Sequence, residues 1–294
     1  MPTDTRRGVV PELLTASRPL SWVNTAFPFA AAYLLTTRDV DVALVIGALF
    51  FLVPYNLAMY GVNDVFDYAS DAANPRKGGV EGALLEPGRH RLTIGAAIAL
   101  CAPFVLALVL LGSPASWVVL AVSLFAVAAY SVPGLRFKEV PFLDSATSSV
   151  HFVSPAVYGL VLAGATFTPQ LLALLAAFFA WGVASHAFGA VQDIVPDRAG
   201  GIASIATVLG ARRTVRFASA AWTVAGLLML ATDWPGPLAA LLVVPYLAAA
   251  APYSALGDAD SGRANAGWRR FLAINYVVGF LVTMLLIWYA AITA

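Results

Sequence analysis

Charge is scarce in this sequence. Of its 294 residues only 11% are Asp, Glu, Lys or Arg, and the formal net charge is +1. Soluble domains carry about 25% charged and 45–50% apolar residues, whereas 60% of this chain is hydrophobic and its mean hydropathy is +0.81. A water-soluble globular enzyme and a disordered chain are both excluded. So is a nucleic-acid binder, which needs a basic field to hold a polyanion. Cysteine occurs once, as Cys101, and this excludes an internal disulfide and a Cys-based metal site. Low-complexity tracts and long linkers are missing too, so residues 1–294 read as a single polytopic membrane domain.

What the sequence has instead is long apolar runs. A membrane-spanning helix needs about 20 apolar residues in a row. Nine stretches without Asp, Glu, Lys or Arg come close: 20–37, 42–62, 92–112, 115–133, 145–165, 171–192, 217–232, 237–257 and 271–292. Their unbroken apolarity selects helices over the period-2 alternation of a barrel. The seventh is short and is expected to tilt little or to draw on its flanks. The first follows an arginine-bearing leader, as a signal peptide would, but Pro28 within it and eight further runs favour a retained helix. Starting from a cytoplasmic N-terminus, alternation puts 16 of the 17 basic residues inside, Arg38 being the exception. That asymmetry follows the positive-inside rule. The expectation is an all-α integral protein of the cytoplasmic membrane with nine transmembrane helices and an external C-terminus.

Thirteen of the 16 acidic residues fall on the same side, which the positive-inside rule does not require. Two groups stand out. Asn63, Asp67 and Asp71 are spaced i, i+4, i+8 at the end of the second run, and steps of about 100° per residue put them on one helix face. Asp193 and Asp197 are again i, i+4, ending the sixth run, with Pro196 between them as a potential distortion. Four spans separate the groups, so both belong to the cytoplasmic side. A lone DxxxD is ordinarily a helix cap or a solvated face. Two matched groups suit a hard cation, because Mg2+ prefers oxygen ligands and binds through a few carboxylates plus substrate phosphates.

These residues resemble the UbiA superfamily of intramembrane prenyltransferases, which have nine helices and two aspartate-rich motifs on the second and sixth. The resemblance implies that Asn63, Asp67, Asp71, Asp193 and Asp197 hold Mg2+ and the diphosphate of an allylic donor. Ser17-Arg18-Pro19, Asn74-Pro75-Arg76-Lys77 and the segment from Tyr130 to Lys138 are similar to further family elements. The stretch Gln192-Asp193-Ile194-Val195-Pro196-Asp197-Arg198-Ala199-Gly200-Gly201-Ile202, running on to Ala206-Thr207-Val208-Leu209-Gly210, is similar to the lycopene elongase branch. It departs at Gln192, where that branch has proline.

The resemblance implies a Mg2+-dependent transfer of a dimethylallyl group from dimethylallyl diphosphate to lycopene, in C45/C50 carotenoid synthesis. Arg76, Lys77, Arg136, Lys138 and Arg198 are basic candidates for the phosphate oxygens; the plain alternative for each is a topology signal or a lipid headgroup contact. Polar groups inside spans are costly. His186 is singled out because it lies two turns before Asp193, roughly 10 Å deeper at 1.5 Å per residue. It is a candidate for stabilising the cation or taking its proton. Asn24, Tyr68, Tyr130, His151, Phe188 and Asn275 are candidates to line an acceptor or cation pocket, and Trp181 is a further aromatic of that kind. Two other readings compete. One is the same chemistry on an aromatic quinone precursor, a chlorophyllide or a glycerol-phosphate lipid. The other is a secondary transporter, whose ion sites would lie near the midplane rather than at helix ends. With no Lys or Arg inside any run, an apolar acceptor fits better. The expected partners are therefore the prenyl diphosphate, the apolar acceptor and membrane lipid, with no nucleic acid; no protein partner is indicated.

Overall fold

The computed structural model describes residues 8–68, 72 and 84–293; Asp71, Arg76 and Lys77 lie outside the described residues. Every regular element among the described residues is helical. In chain order they are α1 Val9–Ala16, α2 Val23–Thr37, α3 Val42–Phe66, α4 His90–Leu111, α5 Pro114–Ser131 and α6 Leu143–Leu162. There follow α7 Pro169–Ala190, α8 Ile194–Ala199, α9 Ile205–Leu209, α10 Ala211–Met229, α11 Gly236–Tyr253 and α12 Ala264–Ile292.

Each of the nine apolar runs lies on a helix, and six helices among the described residues are long and apolar enough to cross a membrane. These comprise α3, α4, α5, α7 continuing to Ala199, α11, and α12 with the turn before it. The remaining three fall short for separate reasons. Helix α2 has only 15 residues. Helix α6 carries Asp144, three serines, Thr147 and His151 in its first half. Helix α10 opens on Arg212, Arg213 and Arg216, so the run at 217–232 is short because its charged first turns were cut away.

The chain divides into two compact units, residues to Arg136 with Ser154–Ala165, and Phe137–Val153 with Thr166 onward. In the first unit α2 packs on α3 and α3 on α4. Its centre is aromatic, with Phe29, Phe50, Phe51, Tyr55 and Tyr158 all fully buried. Gly159 lets α6 approach α2 closely, since a Cβ there would lie 2.7 Å from the Phe29 carbonyl oxygen. One buried amide has its donors paired, as an apolar core demands: the Asn56 Nδ2 donates to Thr25 Oγ1 at 2.7 Å and to the Phe51 carbonyl at 2.8 Å.

In the second unit α7 packs along α10, and α10 along α11. Trp222 of α10 stacks on Tyr246 at 5.5 Å and on Phe271 at 5.9 Å, and Phe188 meets it edge-on at 5.6 Å. Such pairs add to the area they bury. Helices α6 and α7 touch where Gly182 has no side chain, because a Cβ there would lie 3.2 Å from Ser149 Cα. The Ser149 hydroxyl donates to the Phe179 carbonyl at 2.8 Å across the same crossing, the small-residue, hydrogen-bonded contact common between membrane helices. It brings the start of α6 alongside α7, and with it the residues described next.

Candidate active site

The first motif follows a widened turn. Residues Leu57–Gly61 of α3 form a π-helix, a feature that often marks functional sites. From Val62 the helix tightens, and the Asp67 amide donates to the Asn63 carbonyl at 2.9 Å. Asn63 and Asp67 are thus one turn apart, as their spacing predicts. The Asn63 side chain is fixed by the Ser131 hydroxyl, which donates to its Oδ1 at 3.0 Å. Arg136 stands 3.7 Å from the Asp67 carboxylate. Between the two motif residues, Asp64 is buried and pairs with Arg18 at 2.9 Å, and Arg18 covers the Tyr60 ring at 4.2 Å. Arg18 and Arg136 both hold left-handed backbone, at φ 51° and 42°. Non-glycine residues are rare in that region and cluster at functional sites.

The second motif is held differently. A 3-10 turn over Val191–Asp193 ends α7, and α8 restarts at Ile194. Pro196 falls in the first turn of α8, where a missing N–H costs nothing, so it does not break the i, i+4 relation. Gln192 donates to the Gly189 carbonyl at 3.0 Å and accepts from the Asn265 amide at 2.5 Å. That is what the residue standing in place of proline does. Arg198, grouped above with the phosphate-binding cations, has its guanidinium on the Thr207 carbonyl at 2.6 Å and on Asp258 at 2.7 Å.

Deeper in the same unit lies a buried polar group around His186. Ser145 Oγ is 3.0 Å from His186 Nδ1. Its neighbour Asp144, fully buried, accepts from the Ser145 amide at 2.7 Å and from the Ile205 amide at 2.7 Å. A carboxylate in the first turn of α6 also complements the helix dipole. Asp144 escapes a search for charge-free stretches because it sits one residue outside the run at 145–165. The available signal was a single carboxylate beside a serine-rich helix start.

The other candidates are scattered. Phe188 is buried against Trp222 in the core of the second unit. Asn275 accepts from the Tyr246 hydroxyl at 2.7 Å, and Trp181 stacks on Phe271. His151 is buried in α6, Tyr130 is half-buried near the end of α5, and Asn24 is exposed on α2. Tyr68 meets His90 edge-on at 5.3 Å. Lys138 lies half-buried in the turn Phe137–Glu139.

Among the described residues no three His, Cys, Asp or Glu side chains lie close enough to hold a metal ion by themselves. The donors on offer, Asn63, Asp67, Asp193 and Asp197, are all oxygens. Mg2+ keeps several waters and shares phosphate oxygens rather than entering an all-protein cage. Within each motif, oxygen donors of this kind suit a magnesium-bound diphosphate.

The chain is similar to several known proteins. Across 96% of its length the chain is 55% identical to the C(50) beta-cyclic carotenoids biosynthesis protein LbtBC of Dietzia sp. (strain CQ4), and it spans 65% of that protein. It is 45% identical to a lycopene elongase/hydratase of Corynebacterium glutamicum, over 94% of this chain and 96% of the other. A UbiA homolog from Archaeoglobus fulgidus, solved with DMAPP and Mg2+, has the same fold: TM-score 0.63 at 18% identity, over 91% of this chain and 98% of that one. The apo UbiA homolog from Aeropyrum pernix K1 gives TM-score 0.65 at 21% identity, over 90% and 98%. Residues 25–277 match the UbiA prenyltransferase family, and the chain belongs to it.

Proposed function

We propose that this protein transfers a dimethylallyl group from its diphosphate to lycopene, as a lycopene elongase/hydratase of C45/C50 carotenoid synthesis. The observation that carries this is 45% identity, over 94% of the chain, to a Corynebacterium protein of that name. The full reading has one polytopic domain of nine spans in the cytoplasmic membrane, with the N-terminus and both motifs on the cytoplasmic side. Held by Asn63, Asp67, Asp71, Asp193 and Asp197, Mg2+ would act as a Lewis acid on the diphosphate, making it a better leaving group. Arg76, Lys77, Arg136 and Lys138 grip phosphate oxygens, the arginines with their two-pronged geometry.

Cleavage of the donor's C–O bond leaves an allylic cation that must be kept from water. Aromatic faces stabilise such a charge through their quadrupoles, and an apolar wall excludes the competing nucleophile. The terminal double bond of lycopene, entering from the lipid, forms the new C–C bond and becomes a tertiary cation. Either a proton leaves or water adds. His186 takes the proton in this reading, oriented by the Ser145 hydroxyl on Nδ1. His186→Ala and Ser145→Ala are therefore expected to change the ratio of hydrated to dehydrated products, with donor KM unchanged. Chromatography with mass spectrometry reads that ratio, and a large loss of donor affinity would contradict the assignment.

The direct test uses purified protein in proteoliposomes with dimethylallyl diphosphate and, in parallel, lycopene, an aromatic acid or a chlorophyllide. Lycopene alone should be prenylated; EDTA should abolish turnover and excess Mg2+ restore it. Prenylation of an aromatic acid or chlorophyllide in place of lycopene would overturn the acceptor.

A further inference from the structure

We propose that Asp258 and Asn265 are positioning residues that set the geometry of the second aspartate motif and thereby its affinity for a Mg2+-bound diphosphate. This rests on the reading of Asp193 and Asp197 as ligands of that group. The motif is anchored at both ends by one downstream stretch, a 3-10 helix over Asp258–Arg263 leading into α12. At the near end Gln192, one residue before Asp193, takes the Asn265 amide on its Oε1 at 2.5 Å. At the far end Arg198, one residue after Asp197, puts Nη1 on Asp258 at 2.7 Å. Its Nε and Nη2 share the Thr207 carbonyl at 3.2 and 2.6 Å. The two motif aspartates lie between these anchors.

Asp258 is itself tied down. Its Oδ1 accepts from the Ala211 amide at 2.7 Å at the start of α10. Gly210 makes room for it: the backbone there has φ +76°, and a Cβ would lie 2.9 Å from Asp258 Oδ1. One carboxylate thus joins the motif loop to the first turn of α10. Both side chains of the Arg198–Asp258 pair are nearly half exposed, and exposed pairs add little to stability. The planar guanidinium, fixed on two acceptors, contributes placement instead. Metal-site side chains need such placement within a fraction of an ångström, and it comes from their outer partners.

Loss of an outer partner typically lowers metal affinity or activity about 10–100-fold. The test is calorimetric titration of the full chain in detergent with Mg2+ plus inorganic pyrophosphate, alongside steady-state kinetics. Asp258→Asn keeps an oxygen for the Ala211 amide but removes the charge facing Arg198; Asn265→Ala removes the other anchor. Each should weaken Mg2+–pyrophosphate binding about tenfold and raise donor KM in parallel. The KM for the acceptor and the unliganded unfolding midpoint should stay near wild type. Asp258→Glu, which restores the charge, should recover most of the affinity. Unchanged Mg2+–pyrophosphate affinity in both Asp258→Asn and Asn265→Ala overturns the proposal, as does a loss matched by an equal fall in donor-free stability. Asp193→Asn and Asp197→Asn separate the two levels. If they abolish binding while the positioning variants do not weaken it, positioning alone fails; if they too bind normally, the diphosphate-site reading fails.

Discussion

Asp193→Asn and Asp67→Asn are each expected to slow prenyl transfer by about a thousandfold while leaving the protein folded in the membrane. A metal acting as a Lewis acid stabilises a transition state by several kcal/mol, and about 4 kcal/mol corresponds to about 10³ in rate. Each substitution keeps the side chain's size but removes the charge that neutralises the cation. Asp193 is half-buried, and its loop is held on either side by hydrogen bonds from Gln192 and Arg198, which the substitution leaves in place. The loop therefore has no reason to collapse. Turnover within tenfold of wild type in either variant would contradict the assignment of these carboxylates to the leaving diphosphate.

Asp144→Ala is expected to act on stability instead. It strips the acceptors from two backbone amides, those of Ser145 and Ile205. Both amides lie at fully buried residues. A buried donor left without a partner costs about 1–3 kcal/mol, so the variant should lose about 2–6 kcal/mol. A folded protein has only about 5–15 kcal/mol in hand. The unfolding midpoint in detergent should fall steeply, and the His186 region should loosen with it, because Ser145 follows Asp144 directly. Asp144→Asn keeps one acceptor but turns an NH2 towards the second amide, and should fall in between. A midpoint equal to wild type for Asp144→Ala would show that both amides find other partners.

The legible parts of this protein are those encoded locally. Apolar runs announce helices because a membrane leaves the backbone no other way to satisfy itself, and each run indeed lies on a helix. Their ends were less legible, since a charge-free criterion cuts away Arg212, Arg213 and Arg216 of α10 and Asp144 of α6. The motif residues could be read from spacing, because i, i+4 is a property of one helix. The one-turn relation between Asn63 and Asp67 is present in the fold. What spacing does not carry is the choice of distant partner. Nothing near Asn63 points to Ser131, 68 positions on, and nothing near Gln192 points to Asn265, 73 positions on. Nothing local marks Asp64, between the motif residues, as buried against Arg18. The π-turn over Leu57–Gly61 has no proline or charge to betray it. Among the pocket candidates, Phe188 satisfies the same hydrophobic pattern whether it lines a cavity or fills a core, and it fills the core.

One measurement bears on the central claim most directly: expression of this chain in a lycopene-producing bacterium, with pigments resolved by chromatography and mass spectrometry. New C45 and C50 species should form with the wild-type chain and vanish with Asp67→Asn, and their masses separate hydrated from dehydrated ends. Unaltered lycopene, with the protein verified in the membrane, would contradict a lycopene acceptor.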